Sequence, residues 1–211
     1  MNIKDKIFHF LIFISVIPLL LFLTTCSSRT QTIDNTTKPD PDLIYLTNEE
    51  PVLSSCLLPH LLEKSGLFIH YINGKYKDKN FYFESIIKIT DETFKVVATT
   101  SINRLFSLSL GRSGEVSIES ELSSVIGFQP EYIATDLALI YLPTATLRTC
   151  LPSNYSITET PLTERGFLRT ISHKGATIFK ITYYTADRYN SDVDLKNLLR
   201  NYQYSIKLGS Q

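Results

Sequence analysis

Phe81-Tyr82-Phe83-Glu84-Ser85-Ile86-Ile87-Lys88-Ile89 runs on a period of two, and that period decides the fold. In an extended chain successive side chains point to opposite faces, so Phe81, Phe83, Ile87 and Ile89 share one face. The same period continues in Phe94, Val96 and Ala98. It returns in Phe106, Leu108 and Leu110, which alternate with Ser107 and Ser109, and again in Val116 and Ile118. Short strands parted by turn residues are the pattern of an antiparallel meander. Within Leu110-Gly111-Arg112-Ser113-Gly114-Glu115, a nucleophile elbow needs a second glycine where Glu115 stands. A hairpin turn is expected there.

Outward from this core the period changes twice. On the amino side, Leu53, Leu57, Leu58, Leu61 and Leu62 recur at helical spacing between Pro51 and Gly66, which predicts a helix interrupted or begun by Pro59. On the carboxyl side, Pro130 opens a glycine-free run to Leu142 that places Ile133, Leu137, Ile140 and Tyr141 on one helical face. A second short helix after Pro143 carries Ala145, Leu147 and Leu151. Strands return at Tyr155–Glu159, Phe167–Ser172, Thr177–Tyr184 and Tyr202–Leu208, with Val193–Leu199 readable as a strand or a helical turn. Strands, a helical insert and strands again predict an α+β fold, mostly β. The expectation is one curved antiparallel sheet closed by a few helices.

The amino end reads as an address. Lys4 and Lys6 lead into an apolar run from Ile7 to Leu23, followed by Thr24, Thr25, Cys26, Ser27 and Ser28. A basic start, an apolar core and small residues before a cut mark a secretory signal. Leu23-Thr24-Thr25-Cys26 resembles the lipobox of bacterial lipoproteins, with Thr25 where Gly, Ala or Ser is usual. The resemblance implies a diacylglycerol on the Cys26 sulfur and cleavage before it. An uncleaved membrane anchor and simple secretion are the other readings. Residues 1–25 are thus expected to be a lipoprotein signal peptide, residues 26–42 a polar tether and residues 43–211 a single domain. A flexible tether of this length has an r.m.s. reach of roughly 20–24 Å. Ser27, in place of an aspartate, points to the outer membrane with the domain facing the periplasm.

Composition narrows the function. Lys+Arg and Asp+Glu both number 21, and removing Lys4, Asp5 and Lys6 with the signal leaves a net charge of −1. No basic stripe suggests nucleic acid. Cys56 and Cys150 are a candidate disulfide in an oxidising compartment. It would close a loop of about 94 residues and stabilise by at most ~4–5 kcal/mol. Two separately buried thiols are the alternative. His60, His70 and His173 make no metal-ligand spacing, and each is expected to be a surface or locally bonded imidazole. Asp187, Asp192 and Asp194 do not match a calcium loop and are expected to solvate a turn. No P-loop or dinucleotide fingerprint occurs. The expectation is a protein without catalytic residues, metal or cofactor.

The apolar faces either fill an ordinary core or line a cavity, and pattern alone favours the core. A family resemblance reverses that. Glu131-Tyr132-Ile133-Ala134-Thr135-Asp136-Leu137-Ala138-Leu139-Ile140-Tyr141-Leu142-Pro143 resembles the "aDlqLalWP" segment of the bacterial lipoproteins grouped as domain of unknown function 3261. Asp136, Leu137, Leu139 and Pro143 match, while Leu142 stands where a tryptophan is usual. Leu147-Arg148-Thr149-Cys150-Leu151-Pro152 resembles the following "Lr..LP", and Tyr183 with Tyr202-Gln203-Tyr204 resembles the closing strands. The resemblance covers roughly residues 55 to 208. It implies likeness to lipoprotein carriers of the LolA/LolB type, an incomplete barrel with a helical lid and an apolar cavity. Family genes often accompany aryl polyene lipid clusters, which implies a part in outer-membrane lipid handling.

On that basis the expected activity is to bind or accept an acyl or polyene lipid, or a lipoprotein's acyl chain, at the periplasmic face of the outer membrane. The expected cavity lining is Phe81, Phe83, Phe94, Val96, Phe106, Leu108, Leu137 and Ile140. The alternative is a non-catalytic envelope assembly factor acting through a protein partner, with a filled core and an exposed apolar patch or strand edge.

Overall fold

A computed structural model describes residues 44–45, 51–52, 59–114, 116–120, 130–162 and 165–209. Two short strands, β1 (Ile44–Tyr45) and β2 (Pro51–Val52), pair antiparallel. A 3-10 turn at Pro59–Leu61 leads into β3 (Gly66–Tyr76), β4 (Lys79–Ile89), β5 (Thr93–Thr99), β6 (Arg104–Gly111) and β7 (Val116–Ser120). Helices α1 (Pro130–Tyr141) and α2 (Thr144–Cys150) follow. The chain then returns through β8 (Tyr155–Pro161), β9 (Phe167–His173), β10 (Ala176–Tyr183), β11 (Val193–Asn197) and β12 (Tyr202–Leu208).

Strands β3 to β12 form one ten-stranded sheet in the order β7-β6-β5-β4-β3-β12-β11-β10-β9-β8, and every pairing is antiparallel. Two five-stranded meanders thus join along β3 and β12, with Ile72 opposite Ile206. The sheet is open, because β7 and β8 are its two edges. The helices bridge these edges in sequence, after the first meander and before the second.

Local chemistry explains the hairpins. Lys174 and Gly175, at φ of 51° and 84°, turn β9 into β10 in two residues. Positive φ at both positions matches the right-handed twist of the strands that follow, and Gly175 meets nothing within 4 Å where a Cβ would stand. Along β4 the inward residues are Phe81, Phe83, Ser85, Ile87 and Ile89, the face expected from the period of two. Register irregularities at Ala98/Thr99 and Thr177/Phe179 add local bend.

The sheet curls around α1. The helix packs against β6 and is bonded by side chains from β3, β12, β10 and β9. Between β6 and β9 lie seven strand spacings, roughly 34 Å if flat. A helix is only about 10–12 Å across, so contact with both demands curvature. From Thr135 to Leu142 every residue of α1 and its exit is buried, which leaves no solvent face on that half of the helix. The expected face of Ile133, Leu137, Ile140 and Tyr141 is buried, and so are Asp136, Ala138 and Leu139 beside it.

Two expectations need correction. Among its described residues the helix read between Pro51 and Gly66 is reduced to the single turn Pro59–Leu61, while residues 53–58, with Leu53, Leu57 and Leu58, lie outside the described residues. Pro51–Val52 is a strand, and Gly66 begins one. The leucine spacing was compatible with a helix. However, the described run from Pro59 to Gly66 is too short to carry a helix beyond one turn. The second is an omission, since β3 is the central strand and no strand was expected there. Val193–Asn197 resolves as a strand followed by a turn.

Candidate functional site

The interior is one continuous apolar cluster into which α1 is clasped by polar side chains at three points. The first lies at its carboxyl end. Pro143 has no N–H to give to the carbonyl of Leu139, so that carbonyl and the two after it lose their helical donors. Each is met from the sheet side. Arg169 Nη1 on β9 donates to Leu139 O, Tyr183 Oη on β10 donates to Ile140 O at 2.6 Å, and Tyr189 Oη donates to Tyr141 O at 3.4 Å.

Arg169 is fully buried yet fully engaged. Its Nε and Nη2 donate to Glu159 Oε1 at 2.9 and 2.6 Å, and Nη2 reaches Thr144 Oγ1 at 3.2 Å. A cation at the negative end of a helix is favourable electrostatically, and the guanidinium fork serves the helix end and the carboxylate together. The Arg169 charge and hydrogen bonds, with one from Thr144, outweigh the effect of partial burial and hold the Glu159 carboxyl below its ordinary range.

The second point is Asp136, one turn upstream of Ile140. Tyr202 Oη on β12 lies 2.8 Å from both carboxylate oxygens, and Tyr204 Oη lies 3.0 Å from Oδ2. Tyr202 and Tyr204 face the same side of β12, with nearly parallel rings 6.2 Å apart. Arg200 covers the Tyr132 ring at 4.0 Å and adds its charge nearby. Burial pushes the carboxyl up to about 7, against the opposing pull of the two phenols and Arg200. Burial and the facing carboxylate raise both phenols well above their ordinary value, so they remain protonated donors.

The third point is Tyr141, whose Oη lies 2.7 Å from His70 Nε2 on β3 and whose ring stacks on Tyr189 at 5.1 Å. Burial pushes His70 down to about 4, so it is neutral at pH 7, and its buried Nδ1 meets no hydrogen-bond partner among the described residues.

The eight residues expected to face a cavity are all buried in the shared interior. Phe81 and Phe83 of β4, Phe94 and Val96 of β5, and Phe106 and Leu108 of β6 point to the α1 side, where Leu137 and Ile140 also lie. Phe83 meets Phe106 edge-on at 6.2 Å. The second meander contributes an equal wall, including Ile171, Phe179, Ile181 and Leu195. Cys150, the last residue of α2, has no disulfide partner among the described residues; Cys26 and Cys56 lie outside them, and so does the expected Cys56–Cys150 pair.

His173 is locally bonded, stacking on Tyr155 at 4.5 Å and meeting Asn154, and His60 is exposed. Asp187, Asp192 and Asp194 sit around the β10–β11 connection. Asp187 accepts from Tyr189 N, Asp192 from Lys207 and Asp194 from Ser205. Among the described residues no helix is long and apolar enough to cross a membrane, and no acid, histidine or cysteine group is placed to hold a metal.

Sequence pattern placed Tyr141 on the buried helical face but assigned it no polar role, and His70, expected as a surface or locally bonded imidazole, is instead fully buried and bonded to Tyr141 71 residues away. Asp136 and Arg169 carry the one available signal, a charged side chain at a position whose period faces inward. Asp136 and the Tyr202-Gln203-Tyr204 stretch also carried the family resemblance, and the fold brings them into contact. No curated protein matches the chain in sequence. A family model matches residues 70–210, which hold all three clasp points, and the chain belongs to that family, described as protein of unknown function DUF3261.

Proposed function

We propose that the protein is an envelope lipoprotein, anchored through a lipidated Cys26 at the periplasmic face of the outer membrane, that takes up an acyl or polyene chain inside its curved sheet. The cargo is a lipid of that kind or the acyl chains of another lipoprotein. The observation that carries the reading is the way α1 is held. It occupies the apolar interior without sharing the sheet's backbone hydrogen bonds, and the hydrogen bonds seen to bind it there are made by a few side chains. Such an element can be displaced as a unit, and one or more apolar chains can occupy the space it leaves. A sixteen-carbon chain leaving water gains on the order of 12 kcal/mol before the cost of moving the helix. Likeness to LolA/LolB-type carriers belongs to the same proposal.

Native mass spectrometry of the protein purified without detergent, followed by organic extraction, tests it. Stoichiometric acyl or polyene material supports the reading. An empty protein that also ignores a fluorescent acyl probe removes it. Labelling with an alkyne fatty acid tests the anchor, since Cys26→Ala abolishes the label only where Cys26 is the acylated residue.

A second reading has its own observation. On the outer face, Leu67, Tyr71, Tyr82 and Ile86 are exposed on neighbouring strands β3 and β4. Exposed apolar side chains set beside Lys88 and Glu84 suit a protein partner, as an envelope assembly factor would need. Charge substitution at Ile86 impairs partner capture under that reading and leaves cargo untouched under the first.

A further inference from the structure

One end of the sheet combines apolar tips with basic side chains. Four hairpin turns lie there: Lys77–Asp78 after β3, residues 100–103 after β5, Lys174–Gly175 after β9 and residues 198–201 after β11. Lys77 N donates to Asn201 O at 3.4 Å, which ties two of these turns together. Ile102 is 85% exposed, Leu198 50% and Leu199 46%.

The exposure of the two leucines is built into their turn. Leu198 N donates to Ile178 O, the buried Asn197 side chain accepts from Arg200 N at 2.8 Å, and Asn201 takes a φ of 54°. These contacts fix the turn's base and fold Arg200 back onto Tyr132, which leaves Leu198 and Leu199 at the tip.

Charge follows the same division. Lys75, Lys77, Lys79, Lys174 and Lys196 are exposed around the apolar tips, and Asp78 is the only acid within the four turns. At the opposite end acids and bases neutralise one another, with Arg112 on Glu92 at 2.6 Å and Lys64 on Asp187 at 3.7 Å. At the tip end Arg104 meets Glu119 at 3.5 Å, and among the described residues the exposed lysines there leave an excess of positive charge. Apolar side chains ringed by lysines match a bilayer surface, where the former enter the acyl boundary and the latter meet lipid phosphates.

We propose that this end is a membrane-docking tip, which sets Leu198 and Leu199 into the surface of a bilayer containing anionic lipid. The tip adjoins the amino half of α1 through Arg200 and Tyr132, so docking places the bilayer next to the clasped helix. The inference goes beyond cargo binding and holds whether or not the interior accepts a lipid.

The chain has no tryptophan, so Leu199→Trp in the full-length protein is a single reporter. It is mixed with phosphatidylcholine vesicles, with or without phosphatidylglycerol, carrying brominated acyl chains. The expected result is a blue shift and bromine quenching that depend on phosphatidylglycerol. Combining Lys77→Glu, Lys79→Glu and Lys196→Glu weakens the effect by more than about tenfold. A Leu162→Trp reporter, at the other end, stays unquenched even when the N-terminus is anchored. Emission from Leu199→Trp that remains open to acrylamide in both vesicle types overturns the proposal. So does a blue shift that appears only with a protein fraction of the envelope, or quenching that survives the charge reversals in full.

Discussion

Asp136→Asn separates the clasp from ordinary packing through pH. Burial holds the Asp136 carboxyl at about 7 against an ordinary 3.8. A carboxyl whose folded value is raised contributes stability that is fully present below the unfolded value. That stability is lost as pH rises from 3.8 through 7, because the unfolded chain releases its proton first. The interval corresponds to about 4 kcal/mol. His70 works in the other direction. Its value is lowered from 6.5 to about 4, so its contribution is present above 6.5 and lost as pH falls toward 4. That interval corresponds to about 3 kcal/mol. Between pH 4 and 6.5 the two slopes oppose each other. Asparagine keeps an acceptor oxygen for Tyr202 and Tyr204 but has no proton to release in this range. In urea unfolding followed by circular dichroism from pH 4 to 8, the difference between variant and wild type should move in the variant's favour by about 4 kcal/mol as pH rises. Groups common to both proteins cancel in that difference. Curves for variant and wild type that stay parallel across the range would refute the assignment.

Four further substitutions, at three positions, probe the clasp. Arg169→Met should lower the unfolding free energy by about 3–5 kcal/mol, because Glu159 and the Leu139 carbonyl lose a buried cation. Arg169→Lys should not rescue it, since one ammonium cannot span Leu139, Glu159 and Thr144; urea midpoints decide this. Tyr183→Phe should cost about 1–3 kcal/mol in thermal unfolding through the unmet Ile140 carbonyl. Gly74→Ala would set a Cβ 2.5 Å from Phe81 Cζ and from Tyr204 Cβ, and 2.7 Å from the Gln203 carbonyl oxygen. It should destabilise by about 1–3 kcal/mol and, by displacing Tyr204, shrink the pH-dependent difference seen with Asp136→Asn.

Strands β4, β5 and β6 were legible because one face is buried and the other wet, so alternation survives in the sequence. In β3 both faces carry large apolar residues, with Phe68 and Ile72 inside and Leu67 and Tyr71 outside, and alternation is erased. Asn73-Gly74 then looks like a turn. Its glycine instead lies against the Phe81 ring and the Tyr204 Cβ, and those two rings meet edge-on at 6.5 Å. The inward orientation of Phe81, Phe83, Phe94, Val96, Phe106 and Leu108 follows from strand parity alone. The clasp does not, because Asp136 finds its partners 66 and 68 residues later. Arg169 reaches back 30 residues to Leu139. Such pairings are set by register between distant strands and a helix, and local period carries no trace of them.

Polar clasps also bear on how α1 would leave. Moving an apolar helix into water has a cost in hydrophobic area, but the groups that hold this one are ones water can serve. The carbonyls of Leu139, Ile140 and Tyr141 regain hydrogen bonds when hydrated, and at neutral pH Asp136 gains by ionising at its ordinary value. Displacement of α1 is therefore linked to loss of a proton from Asp136, and to gain of one by His70 below its ordinary value. His70→Gln removes the second linkage. In that background the affinity for a fluorescent acyl probe should rise with pH between 4 and 7, by at most about tenfold per unit. Adding Asp136→Asn should flatten the profile. A probe that binds the His70→Gln protein equally well at both ends of this range enters without displacing the helix, and the interior would then have to accommodate cargo beside α1.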